Sequence, residues 1–142
     1  MPINIVIDGE PVAQGRPRIS TASGYARAYD PAKSRNYKDY IRYAASQQMN
    51  GQQPLQGALG LSVRVYREIP KSMSKKKAEQ AEQGLIRPTT KPDLDNYVKG
   101  IKDSLKSICW RDDGQVVAYV EPFGKYYSSK PRVEITVKEM DT

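Results

Sequence analysis

The residues best suited to chemistry lie in KPDLDNYVKG, positions 91–100, where Asp93 and Asp95 stand two apart behind Pro92. Inside a regular helix such a pair points to nearly opposite sides and could not share a ligand. Pro92 removes the difficulty. Proline disfavours helical dihedrals for the residue before it and is at home at a helix start. Asp93 is therefore expected to cap a helix in extended geometry while Asp95 enters the first turn, and their side chains could then converge. Lys99 lies four residues after Asp95, and Asp103 four after Lys99, so an acid, a base and a second acid follow one flank.

Taken alone, the aspartate pair is accounted for by structure: an acid at a helix N-terminus stabilises the dipole by roughly 0.3–1 kcal/mol. The balance shifts with CWRDDGQVV, where Asp112 and Asp113 occupy a tight turn after the same helix. As an isolated turn Asp-Asp-Gly is unremarkable. As a third source of carboxylate it would complete an oxygen-rich site for Mg²⁺ or Mn²⁺, with Lys99 placed to meet a phosphate or orient water. The chain has no histidine, which excludes Ser-His-Asp and Cys-His nucleophile systems and histidine-ligated zinc. It also lacks a phosphate-binding GxxxxGK[ST] loop and a GxGxxG fingerprint. Carboxylate, lysine, tyrosine and a hard metal ion remain.

These residues need elements to position them. INIVID, LGLSVRV and VEITV alternate apolar and polar residues, and QVVAYVE does so less strictly, so each reads as a half-buried strand. The last two, joined by the polar PFGKYYSSKP, are expected to pair antiparallel, and YARAY to add an edge strand. A first helix is expected from an Asp30–Pro31 cap to about Gln48, with Tyr37, Ile41, Ala44 and Ala45 as its apolar stripe. SKKKAEQAEQG reads as a short exposed helix ending at Gly84. Its Lys75, Lys76 and Lys77 sit at the positive end of the dipole, an arrangement that a bound phosphate backbone would offset. In the third helix Leu94, Val98, Ile101, Leu105 and Ile108 form a stripe that should lie on the sheet. The expected fold is α+β, in mixed α/β layers: a largely antiparallel or mixed sheet of four to five strands, with about three helices mainly on one face.

At 142 residues the chain fits one domain, residues 1–142. Lys plus Arg number 23 against 16 Asp plus Glu, a formal charge of +7, which favours an anionic partner and nucleic acid first. No run is apolar and long enough to span a bilayer and no targeting signal stands out, so the cytoplasm is the expected address. The single cysteine, Cys109, excludes an intrachain disulfide and reads as a small buried residue beside Trp110. Arg16, Arg18, Arg27, Lys33, Arg35, Lys38 and Arg42 are interleaved with Tyr25, Tyr29, Tyr37 and Tyr40, a patch suited to a duplex surface. Lys91, next to the acidic pair, is placed for a phosphate.

DLDNYVKGIKDSLKSICWRDDGQVV, with DxDN, a lysine on the next turn, D-x-L one turn further and then W-x-DD-x-Q-V, resembles the RusA-type Holliday-junction resolvases. GRPRI, YDPAKSRNY and RPTTKPDLDN look like the phage and prophage branch of that family. The resemblance implies a RusA-like fold and a homodimeric, Mg²⁺-dependent endonuclease, with Mn²⁺ as a substitute and no organic cofactor. It would nick two opposed strands of a four-way junction in recombination, repair or phage DNA processing. Asp93, Asp95 and Asp113 match the family's catalytic, metal-binding aspartates and Lys99 its essential lysine, while Asp112 falls on the neighbouring acidic position. Arg16, Arg18, Lys75, Lys76, Lys77 and Lys91 are the expected DNA-binding residues. Gly100 departs from the pattern, where a small helix former is more typical. The alternative is a non-catalytic basic nucleic-acid-binding module whose acids merely cap a helix. A PD-(D/E)xK nuclease is disfavoured because no [DE]-x-K strand follows Pro92-Asp93 at a suitable distance.

Overall fold

A computed structural model describes the backbone of residues 2–15, 18–20, 27–29 and 32–140, and the side chains of these except 18–20 and 27–29. Three long strands form its centre. β1 (Ile3–Asp8) pairs antiparallel with β7 (Arg132–Glu139), which pairs antiparallel with β4 (Leu59–Glu68). Their registers align the alternating aliphatics in rows: Ile3, Val137 and Leu61; Ile5, Ile135 and Val63; Ile7, Val133 and Val65. All nine are buried. Burying each such side chain stabilises the fold by about 1.5–3 kcal/mol, which is why a one-residue slip, turning every row outward, is disfavoured.

The opposite face of these strands is polar. Arg64 is bracketed there, donating to Thr136 Oγ1 at 3.2 Å and pairing with Glu134 at 3.5 Å, while Thr136 donates to Asn4 at 2.8 Å. The aliphatic rows therefore specify which face the helices cover. α1 (Ala32–Met49) lies against β1 and α3 (Leu94–Leu105), burying Ile41, Ala45 and Met49. The amide of Gln48 on α1 accepts from Val6 N at 2.9 Å and donates to Val6 O at 2.8 Å. This satisfies backbone groups on the outer edge of β1 that an edge strand otherwise leaves open. The expected Asp30–Pro31 cap lies outside the described residues.

The expected antiparallel pairing of QVVAYVE with VEITV does not form. β5 (Val116–Tyr119) instead runs parallel to the start of β4, and the stretch read as a polar connector contains β6 (Gly124–Ser128), parallel to the end of β4. The main sheet is mixed and five-stranded, as the fold class allowed. Of YARAY, the described residues form β3 (Arg27–Tyr29), which pairs with β2 (Arg18–Ser20) in a separate two-stranded sheet rather than at an edge of the main one. α2 (Lys75–Glu82) is capped by Ser74 Oγ, which accepts from Lys77 N at 3.3 Å, and buries only Ala81. α3 stops at Leu105 rather than running to Ile108, because the chain reverses through Ser107 at φ 75°. Among the described residues no helix is long and apolar enough to cross a membrane.

Candidate active site

The start of α3 has the geometry its sequence requires. Asp93 is the N-cap with φ −68° and ψ 151°, and Asp95 lies in the first turn. Among the described residues, however, the Asp93 side chain accepts no capping hydrogen bond. Asp93 therefore makes no side-chain cap, and its exposed carboxylate interacts with the helix start only through the dipole.

The Asp-Asp-Gly turn is built from the core outward. Trp110 is fully buried, and Cys109 beside it, whose carbonyl accepts from Leu55 N at 2.8 Å, holds the loop against the segment before β4. Asp112 begins the 3₁₀ turn Asp113–Gln115 in a reciprocal capping box: its Oδ1 accepts from Gly114 N at 3.1 Å, and Gln115 Oε1 accepts from Asp112 N at 3.0 Å. Gln115 Nε2 then ties the turn to the Leu55 and Gly57 carbonyls. Asp113 is directed differently: its Oδ1 accepts from Trp110 Nε1 at 2.8 Å. One aspartate thus shapes the turn, and its neighbour is aimed by a buried indole.

These two segments meet. Asp95, Lys99 and Asp113 line one cavity of about 330 Å³ together with Asp103. Asp93 does not join them; it lines a second cavity of about 660 Å³ with Lys91, Asn96, Lys33 and Arg67. Among the described residues no three carboxylate or thiol side chains are grouped closely enough to hold a metal ion, so the expected convergence of three aspartates is absent from this arrangement. The donor chemistry still suits Mg²⁺, which takes hard oxygen ligands and is commonly held by one or two carboxylates plus substrate phosphate. Asp95 and Asp113, which line one cavity, are oxygen donors of that kind.

Residues 8–138 match the family described as endodeoxyribonuclease RusA. The chain belongs to the RusA family. It is also 49% identical over 140 residues to the uncharacterized protein YqaN of Bacillus subtilis (strain 168), covering 97% of this chain and 96% of that one. RusA proteins are DNA endonucleases that resolve Holliday junctions, and the matched residues take in α1, α3 and both aspartate-bearing segments.

Two residues of the RusA-family cavity were not singled out from sequence. Lys102 donates to Tyr119 Oη at 3.4 Å and stands 5.5 Å from its ring centroid, and Tyr119 stacks on Phe123 at 4.7 Å. Lys102 was signalled by its place three residues after Lys99 on the same face. Tyr119 carried no local signal, since its nearness depends on how β5 pairs.

The basic residues divide. Lys91 and Lys33 line the Asp93 cavity. Lys75, Lys76 and Lys77 are exposed on α2 and are not among the described residues lining either cavity. Lys38, read as part of the DNA-facing patch, is instead buried and reaches Asp103 at 3.5 Å across the α1–α3 interface. Tyr40 donates to the Asp8 carbonyl at 2.9 Å. Arg16 lies outside the described residues, as does the Arg18 side chain.

Proposed function

We propose that this RusA-family chain cleaves four-way DNA junctions by divalent-metal-dependent phosphodiester hydrolysis, as a homodimer making paired nicks on opposed strands. The observation that supports it is that Asp95 and Lys99 of α3 and Asp113 of the buried-tryptophan turn line one cavity. Asp95 and Asp113 would hold the metal, with Asp93, two residues before Asp95, approaching from the second cavity. Asp112 stays with the turn. A bound Mg²⁺ would supply Lewis-acid stabilisation of the phosphoryl oxygens and a more acidic water.

The chain's own groups account for the rest. Lys99 offers its ammonium to the non-bridging oxygens of the scissile phosphate, where negative charge grows as the phosphorus becomes five-coordinate. Trp110 keeps Asp113 in one orientation, so its carboxylate need not reorganise on substrate binding. Lys91 and Lys33 would neutralise neighbouring phosphates, and the Lys75–Lys77 cluster would extend that contact, making binding fall with salt. Dimerisation follows the substrate: two equivalent phosphates related by a twofold axis are best met by two sites related by another.

The deciding experiment compares an end-labelled immobile junction with a linear duplex of the same sequence, in Mg²⁺ and in EDTA, for wild type and Asp95→Asn. Paired, metal-dependent nicks on the junction are expected, with at least a ~100-fold loss in the variant and binding retained or tightened. Metal-independent binding without cuts, or wild-type cleavage by Asp95→Asn, would overturn the reading.

A further inference from the structure

The segment that delivers Asp93 has little to hold it locally: Lys91 and Asp93 are exposed, and the Asp93 side chain makes no capping bond. It is held from the sheet. Lys125, in β6, donates from Nζ to the Thr90 carbonyl at 3.0 Å and to the Pro92 carbonyl at 3.1 Å. Arg67, near the end of β4, donates to the same Thr90 carbonyl at 3.2 Å and to Thr90 Oγ1 at 3.4 Å. The Pro92 carbonyl shares one rigid peptide plane with Asp93 N and Cα. An ammonium on that oxygen therefore sets the plane from which the Asp93 side chain departs.

The platform behind Lys125 is itself braced. Lys125 is paired with Val65 in the parallel β4–β6 register, and its own carbonyl accepts from Arg87 Nε at 2.9 Å. The Arg87 guanidinium lies 4.2 Å from the Tyr126 ring centroid, and Tyr126 stacks on Tyr66. In so basic a chain Lys125 would pass for another phosphate-binding cation. Its geometry differs: the side chain is partly buried, and two of its three donors face backbone carbonyls. A compact ammonium suits two carbonyls that belong to different peptide planes, where a planar fork suits a single carboxylate or phosphate.

We propose that Lys125 is a positioning residue of the nuclease site, acting on the Asp93 peptide rather than on DNA. This rests on the reading of the acidic residues given under Proposed function. The test uses the full chain as wild type, Lys125→Met and Lys125→Arg. Amide ¹H–¹⁵N shifts are recorded without DNA or metal, together with single-turnover cleavage at saturating protein and the salt dependence of junction binding in EDTA.

For Lys125→Met, amide changes concentrated at residues 90–96 are expected, with a roughly 10- to 100-fold slower cleavage step. Junction affinity and its salt slope should stay at wild-type values. Lys125→Arg, which keeps a charge and several donors, should recover part of the rate. A salt slope reduced by about one in Lys125→Met would make the residue a phosphate contact and overturn the proposal. Unchanged cleavage would do the same, as would amide changes spread across the whole sheet. If wild type itself fails to cut the junction, the nuclease reading falls; if wild type and Lys125→Met cut equally, only this inference falls.

Discussion

Asp112 and Asp113 are adjacent and chemically identical, yet their hydrogen bonds assign them separate work. Asp112 completes the capping box with Gln115, so Asp112→Ala should lower stability by about 0.5–2 kcal/mol in urea unfolding and leave a reduced but measurable cleavage rate. Asp113 is oriented by the Trp110 indole, so Trp110→Phe removes a hydrogen bond to a carboxylate from a buried ring. It should cost about 1.5–3 kcal/mol in the same assay and slow cleavage at saturating Mg²⁺ more than it weakens junction binding. A cleavage rate equal to wild type in a folded Trp110→Phe protein would show that the indole does not aim the reacting carboxylate. Only the family resemblance separates the two aspartates in the sequence, because in local chemistry each is an ordinary residue for an Asp-Asp-Gly turn. What distinguishes them is a buried tryptophan donor three residues before one and a glutamine acceptor three residues after the other. Asp95 and Lys99 were easier to read, since four-residue spacing on a helix fixes a shared face whatever surrounds it.

At the scale of elements, α3 carries an unusual residue at its centre. Gly100 is buried, and a Cβ built there would meet Gln14 atoms at 3.6 Å, an ordinary van der Waals distance. The glycine is not required by close approach, although Gln14 N does donate to the Asn96 carbonyl one turn earlier. Gly100→Ala should therefore raise stability by about 0.5–1 kcal/mol through helix propensity, seen as a higher urea midpoint with an unchanged slope. A destabilised variant would mean that the Pro11–Gly15 segment packs more tightly on the helix than these distances indicate. The strands show where sequence reading stops. β1, β4 and β7 announce themselves by alternation, and β1 keeps the very bounds of INIVID. Their partners are another matter: alternation fixes the face a residue occupies but not its neighbour. β6 was hidden for the same reason, its Gly-Lys-Tyr-Tyr-Ser sequence having no apolar face to reveal it. Lys125 went unremarked with it, because its partners lie more than thirty residues away.

For the molecule as a whole, the buried hydroxyl and thiol groups set an alkaline limit. Burial pushes the Cys109 thiol up from 9.0 to about 12, and it raises Tyr37 well above 10.0, with Tyr40 adding to that effect. The folded chain thus keeps protons that the unfolded chain releases. The stability these groups contribute is full below about pH 9 and is lost as pH rises toward 12. The urea midpoint should fall between pH 9 and 11, and the fall should be shallower in Cys109→Ala, whatever that variant's absolute stability. A pH-independent midpoint over that range would contradict the burial of both groups. The formal charge of +7 favours an anionic partner, which suits a member of a family of DNA endonucleases.

β4 gives these parts a common measure. One of its edges holds Val116 opposite Leu59 and, six residues further on, Lys125 opposite Val65. The strand therefore spaces the exit of the Asp113 turn from the clamp on the Asp93 loop by about 20 Å, at roughly 3.3 Å per residue. Hydrogen-bond register, rather than the length of the Val120–Phe123 connector, keeps that interval. A residue inserted in the connector would leave that register in place, whereas an insertion within β4 would pull the two halves of the site out of step.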